Sequence, residues 1–438
     1  LLHRECFSLF PDELFDDLFA DVGRRSVPPL IVAVVMVLQR LEGCSDREAV
    51  ERFTYDARWK YAAGGLPFDH PGFAHTVLVD MRARLARSER PKRIFERTLD
   101  IARQAGLVGI RRVLDSTPLY DAVATMDTVT LVRSAIRGVL ALAGEREADL
   151  RARLRRDDDY RTGGKPACDY DDPVARTALV DALARDGYAL LGALDGETLR
   201  GPLAEAATLL ATALGQDLEA GADGVFRIAR RVAPDRMIST VDPEARHGRK
   251  TSHHGFDGYK GHVALDPDAE LITATAVSAG NEGDAAAAAE LLADELPSTN
   301  ELPAGGEPVP GESSLTVYGD SAYGTGELLE RLEAASADIR CKVQAPNAPG
   351  GRFTKADFRV DLEARTVTCP AGQAVPLQPA GRVRIAEFGP SCAACPLVSR
   401  CTSSREGRTI TVGPHEAQLS RGRARQRDPA WLADVVVR

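Results

Sequence analysis

No apolar run in the chain is long enough to cross a bilayer. The longest clean one, LIVAVVMVL from Leu30 to Leu38, is well short of the roughly twenty residues a membrane helix needs, and it reads as a buried helix. Aromatic residues are scarce, at 5%. No secretory leader is visible, but the chain starts at Leu1 rather than Met, so that absence excludes little. Excess positive charge is also missing: 55 Lys and Arg against 64 Asp and Glu leave a formal net charge of −9. Proteins that coat nucleic acid are usually basic, so wholesale DNA coating is disfavoured and only local basic surfaces remain. What is present is ordinary for a globular chain, and 438 residues predict two or three units rather than one core.

Two local basic surfaces stand out. ARHGRKTSHHGFDGYKGH, Ala245 to His262, carries Arg246, Arg249, Lys250 and Lys260 beside histidines 247, 253, 254 and 262. RGRARQR, Arg421 to Arg427, has arginine at every second position. Either is a phosphate-binding surface or a solvated face. The histidines repeat at no ligand spacing and read as neutral donors along a hairpin. The eight cysteines fall into two groups. Cys6, Cys44, Cys168 and Cys341 are scattered and read as buried small hydrophobes. Cys369, Cys392, Cys395 and Cys401 crowd together as C-x22-C-x2-C-x5-C. One Cys-x2-Cys knuckle with two outlying cysteines suits a tetrahedral zinc site, and incidental thiols are the other reading.

Residues 1–108 are predicted helical from apolar periodicity. PPLIVAVVMVLQRLEG has Pro near its start and Gly43 at its end, the usual asymmetry of a helix. Ser45 with Glu48 three residues on fits a capping box. The outline is a helix-turn-helix, which any helical bundle also shows. GIRRVLDSTPLYDA then changes character. It reads as a short strand ending on Asp115, because Pro118 argues against a central strand. Residues 120–235 read as a helical insertion broken by an exposed loop, RRDDDYRTGGKPACDYDDP. YKGHVALDPDAELITATAVSAG predicts a hairpin, and Asp284 a helix cap after it. Beyond a Pro/Gly-rich linker near 303–311, VYGDSAYGTGELLERL reads as a strand ending on Asp320 and then a helix, with a further strand at IRCKVQAP. The class is α/β, with parallel and antiparallel pairing in one sheet.

Two strands that each finish on an Asp invite a common site, because ligands collect at strand ends in α/β sheets. Two carboxylates in one cleft repel unless a cation sits between them. Mg²⁺ suits such oxygens and substrate phosphate, and a metal pair suits in-line displacement at phosphorus. The alternative is that each Asp caps a turn.

VLDSTPLYDAVATMDTVT, STVDPEARHGRKTSHHGFDGYKGHVA, VYGDSAYGTGELLERL and TCPAG…CAACPLVSRC, in that order, resemble the DDE transposases of bacterial insertion sequences. The similar group has a cysteine-bearing segment before the third catalytic acid. The resemblance implies a ribonuclease-H-like core over 109–348 interrupted at about 120–235. It also implies a DNA-binding helical domain at 1–108, a cysteine segment at 349–412 and the start of a final helical region at 413–438. Asp115 matches the first catalytic acid and Asp320 the second, both as ligands of Mg²⁺ or Mn²⁺. The implied partner is double-stranded DNA, as terminal repeats and target, met by a homo-oligomer without a membrane, in the bacterial cytoplasm at the nucleoid.

The third acid of the group is a Glu within an R-x-x-x-E-R/K-like stretch on a helix well after the cysteines. RGRARQRDPAWLAD resembles the approach to that helix, and VVVR follows it. No Glu follows Glu416, which lies in GPHEAQL, too early for the motif but the fallback for the role. The expectation is a chain cut short, or shifted in frame, just before its last catalytic residue. The favoured function is cleavage and strand transfer at element ends. The rivals are a non-catalytic DNA-binding remnant that inhibits a full-length relative, and a metal-dependent nuclease or phosphatase unrelated to transposition.

Overall fold

The computed structural model describes residues 2–19, 27–120, 125–250, 254–296 and 315–437. The linker expected near 303–311 and His253 lie outside these residues. The chain divides into two compact units, Leu1–Gly109 and Ile110–Arg438.

The first unit holds helices α1 (Leu2–Leu9), α2 (Pro29–Glu42), α3 (Asp46–Tyr55), α4 (Ala57–Ala62), α5 (Thr76–Arg87) and α6 (Arg93–Gln104). The apolar run is indeed the buried helix: Leu30 through Val35 are all buried in α2, within a core that includes Phe10, Phe15, Phe53, Trp59 and Leu78. Gly43 ends α2 in the left-handed conformation (φ 61°), which a residue without Cβ adopts without penalty. Ser45 caps α3 by accepting the Glu48 N–H at 3.3 Å. The reciprocal half of the capping box is replaced: the Glu48 carboxylate takes Arg52 at 2.6 Å instead.

The second unit begins with β1 (Arg111–Tyr120) and continues into α7 (Thr128–Leu142), α8 (Glu147–Ala152), α9 (Pro173–Leu194) and α10 (Gly201–Asp217), then β2 (Leu218–Ala220) and β3 (Phe226–Ile228). The four helices share a core of their own, around Leu131, Ile136, Leu183, Leu190, Leu210 and Leu214. The loop between α8 and α9, expected to be simply exposed, is tied down. Asp158 pairs with the buried Arg133 at 2.8 Å, and the buried Tyr160 hydroxyl donates to Asp186 at 2.6 Å. Burial raises the Tyr160 phenol well above its ordinary range, and Asp186 adds to this, so it stays a neutral donor.

Next come β4 (Arg246–Arg249), β5 (Gly255–Asp266), β6 (Leu271–Ala279), α11 (Asp284–Leu291), β7 (Thr316–Gly319), α12 (Gly326–Ala334) and β8 (Asp338–Cys341). Their sheet has the order β4-β5-β1-β7-β8, with β6 also paired to β5. The expected hairpin is present as β5–β6, antiparallel from Tyr259↔Ala279 to Asp266↔Leu271. β7 is parallel to both β1 and β8. A core of Leu114, Ala264, Ala288, Leu291, Val317, Leu328 and Ile339 packs the sheet against α11 and α12.

One expectation is corrected here. β1 does not end on Asp115; it runs on through Pro118 to Tyr120, paired with β5 from Val113↔Leu265 to Tyr120↔Gly258. What ends is its pairing with β7, at Val113↔Tyr318. Beyond that point β1 has only β5 beside it and is locally an edge strand, where proline is tolerated.

The cysteine segment, for which the sequence predicts no individual elements, holds short strands, and the final region at 413–438 is helical. Short strands β9 (Arg359–Asp361), β10 (Thr366–Thr368) and β11 (Ala374–Pro376) form one sheet. Strands β12 (Gln378–Ala380), β13 (Val383–Glu387) and β14 (Thr409–Val412) form another, with α13 (Val398–Cys401) between β13 and β14. Helices α14 (Glu416–Arg425) and α15 (Pro429–Val437) follow. No helix among the described residues is long and apolar enough to cross a membrane.

Candidate active site

Asp115 lies on β1, and Asp320 directly follows β7, the parallel neighbour of β1. Continuing the β1–β7 register from Val113↔Tyr318 by two residues brings Asp115 level with Asp320. The two acids thus leave the sheet at the same level, just past the point where β1 and β7 are paired. Both residues are exposed. Each keeps one oxygen on a backbone N–H: Ser116 donates to Asp115 Oδ1 and Ala322 to Asp320 Oδ1, both at 2.8 Å. Among the described residues no cation pairs with either acid, and no third acid joins them in a metal-holding group.

Small residues make room for the turn after β7. A Cβ on Gly324 would lie 1.9 Å from the Lys342 carbonyl oxygen, so only glycine lets the chain pass β8 there. Gly319 similarly packs on Tyr323, where a Cβ would meet the Tyr323 Cβ at 2.8 Å.

Tyr323 is fully buried, and its phenol is raised above its ordinary range by burial and then by Asp284, Asp115 and Asp320. It is therefore a neutral hydroxyl near three carboxylates, with Ser116 beside it. Asp284 was expected to cap α11. Gly283 holds the cap position instead, and Asp284 accepts the Ser116 hydroxyl at 2.8 Å and the Lys260 ammonium at 2.7 Å. His262, across from Ser116 on β5, is buried, and its Nε2 lies 2.8 Å from Ser278 Oγ. The sequence reading passed over Ser116, Asp284, Tyr323 and His262 as members of this site. The available signal was position: Ser116 directly follows the first acid and Tyr323 lies three residues after the second.

The four basic residues expected on phosphate divide into two kinds. Arg246 is engaged with Asp235 at 2.6 Å and with the Pro243 carbonyl, and Lys260 with Asp284, so both are already partnered. Arg249 and Lys250 are exposed. Three arginines of the RGRARQR run are paired with carboxylates, while Arg421 and Arg427 are exposed. Arg421 and Arg425 pair with Glu333 of α12, at 2.5 and 3.6 Å, and Arg423 pairs with Glu416 at 3.1 Å.

Glu416, the fallback third acid, is buried between Lys355 and Arg423. Two cations already satisfy it, which leaves little for a metal. α15 has Asp434 as its acid, and that carboxylate accepts the Tyr318 hydroxyl at 3.0 Å and pairs with Arg340 at 3.5 Å. Tyr318 lies opposite Val113, and side chains alternate along a strand, so α15 covers the face that Asp115 shares with Val113.

Cys369, Cys392, Cys395 and Cys401 line one small apolar cavity with Phe353, Phe358 and Phe388. Burial raises the Cys401 thiol, and the other three cysteines raise it further. The Arg408 N–H donates to Cys392 Sγ at 3.5 Å. The four thiols are gathered, yet among the described residues no three such side chains stand in a metal-holding arrangement.

Three family models match the chain. The Transposase domain (DUF772) matches residues 3–84, and a Transposase DDE domain matches residues 192–361. A second Transposase DDE domain model matches residues 368–438. Asp320 falls inside a matched range, and Asp115 lies between two of them. No curated protein and no solved structure matches the chain. With transposase models covering both ends and the middle of the sequence, the chain belongs to the insertion-sequence DDE transposases.

Proposed function

We propose that this transposase binds the ends of its element, hydrolyses phosphodiester bonds there and joins the freed 3′-hydroxyls to target DNA. The catalytic sheet, on this reading, is ribonuclease-H-like, with α7–α10 as its insertion and the helical unit Leu1–Gly109 as a DNA-binding domain. One observation carries the reading: Asp115 on β1 and Asp320 just past the end of the parallel β7 come level when the strand register is continued, exposed and without a neutralising cation among the described residues. The donor set fits Mg²⁺ or Mn²⁺, which prefer carboxylate oxygen and keep sites for phosphate. When bound, such ions supply charge stabilisation at the phosphoryl group. Asp115 and Asp320 would hold them, and the Ser116 and Ala322 N–H groups fix the carboxylate orientations. Arg249 and Lys250 would take phosphates of the bound duplex. The cysteine cavity would close on one structural zinc ion.

A second reading, DNA binding without cleavage, draws on the engagement of Glu416 with Lys355 and Arg423. A nicking assay separates the two. Labelled duplexes cut from the DNA flanking the gene are incubated with the chain and Mg²⁺ or Mn²⁺. Cleavage that Asp115→Asn and Asp320→Asn each reduce by 100-fold or more supports the transposase reading; misplacing reacting groups by about 1 Å costs roughly that much. Tight binding with no cleavage supports the second reading. Cleavage unaffected by either substitution overturns the assignment of the acids.

A further inference from the structure

Asp115 is held by a relay that reaches it through three elements. From β5, the Lys260 ammonium donates to Asp284 Oδ1 at 2.7 Å and to the Glu282 carbonyl at 2.6 Å. At the first turn of α11, Asp284 Oδ2 accepts the Ser116 hydroxyl at 2.8 Å. On β1, the Ser116 N–H donates to Asp115 Oδ1 at 2.8 Å. The Lys260 and Asp284 side chains are only 13% and 14% exposed, so this pair is largely withdrawn from water.

We propose that Lys260, Asp284 and Ser116 form a positioning relay that fixes the first metal-binding carboxylate, Asp115. The proposal rests on Asp115 being a metal ligand. Its physical content is an orientation. Asp115 lies where β1 has lost β7 as a neighbour, so the ladder alone constrains its backbone from one side. Anchoring the Ser116 hydroxyl on the opposite face of β1 restores a second constraint, since successive strand residues point to opposite faces. Ser116 thus cannot shift without carrying its own N–H, and with it Asp115 Oδ1. Lys260 has a separate task. It neutralises Asp284, which would otherwise stand as an uncompensated carboxylate close to the acid pair. This accounts for a lysine in a DNA-processing site that faces a carboxylate rather than solvent.

Partners of this kind behind metal ligands are typically worth about 10- to 100-fold in metal affinity. The test is Mn²⁺ binding to the full chain, read from the electron paramagnetic resonance signal of the free ion, with thermal unfolding measured in the absence of metal. Asp115→Asn should abolish the tight site. Ser116→Ala, which removes one hydroxyl, should weaken Mn²⁺ binding by about tenfold with little change in the metal-free midpoint. Asp284→Asn should weaken it at least as much, and Lys260→Arg should retain more affinity than Lys260→Met. If Asp115→Asn abolishes binding while Ser116→Ala and Asp284→Asn bind like the wild type, the relay is overturned and the metal site stands. If Asp115→Asn binds like the wild type, the metal assignment fails and the relay falls with it. A fall in the midpoint of Ser116→Ala with unchanged Mn²⁺ affinity would reduce the relay to a structural contact, which also overturns it.

Discussion

At the scale of single residues, the site is a place where ionisable groups are kept in chosen states by burial. His262 is 1% exposed, and its Nδ1 has no partner among the described residues. Burial holds its imidazole below the ordinary value of 6.5; Lys260 acts in the same direction, while Asp284, Glu282 and Glu290 oppose it. A base whose affinity for protons is lower when folded is protonated first in the unfolded chain. Its contribution is therefore fully present above about pH 6.5 and declines as pH falls from there towards the folded value. Urea unfolding of the second unit should show stability lost between pH 7.5 and 5.5. The loss should be shallower in His262→Gln, whose amide still reaches towards Ser278. Equal losses in the two proteins would remove His262 as the cause. The sequence showed four histidines near this hairpin but not which one is buried. That is decided by alternation along β5, which puts His262 on the covered face opposite Ser116, while His247 on β4 and His254 just ahead of β5 are exposed. The same limit applied to Lys260 and Arg246. A run of cations in a sequence carries no mark of which ones already face carboxylates.

At the scale of elements, what was legible was whatever local chemistry fixes: α2 with its Pro start and Gly43 stop, the Ser45 cap, the β5–β6 hairpin, and β7 running into Asp320. What was not legible depended on distant partners. The extension of β1 past Asp115 is set by β5, the role of Asp284 by Ser116 and Lys260, and the pairing of Arg421 by Glu333 on α12. The cysteine segment is the clearest case, because its strands of three to five residues carry too little periodicity to be read. Its buried core is also small, built on Phe358, Val367, Leu377, Phe388, Ile410 and a few neighbours. Small apolar cores commonly need a staple, and a structural metal is one. On the reading that the four thiols close on zinc, purified protein should contain about one equivalent, lost in Cys392→Ser/Cys395→Ser, and a chelator should unfold the segment. Folded protein with negligible zinc would leave the cysteines as plain thiols packed beside aromatic rings.

At the scale of the whole molecule, the difficulty is how a chain with net charge −9 engages a polyanion. Much of its positive charge is held internally. In the first unit Arg82 pairs with Asp46 and Arg93 with Asp17, and the exposed face of α3 carries Glu48 and Glu51 beside Arg47, a poor surface for a phosphate backbone. In the second unit Arg246, Lys260, Arg421, Arg423 and Arg425 all face carboxylates. Arg249 and Lys250, exposed at the end of β4, are the cations of the expected set that have no ion pair among the described residues. Each phosphate neutralised releases counterions and steepens the dependence of log K on log salt by about 0.9. Duplex binding measured without divalent metal, over a range of salt, should therefore lose about 0.9 from its slope in Arg249→Ala and again in Lys250→Ala. Arg246→Ala should leave the slope nearly unchanged, because its charge is already balanced by Asp235. An equal loss of slope for Arg246 would mean that DNA displaces Asp235, and that phosphate contact in this protein is formed by exchanging internal ion pairs rather than by presenting free cations.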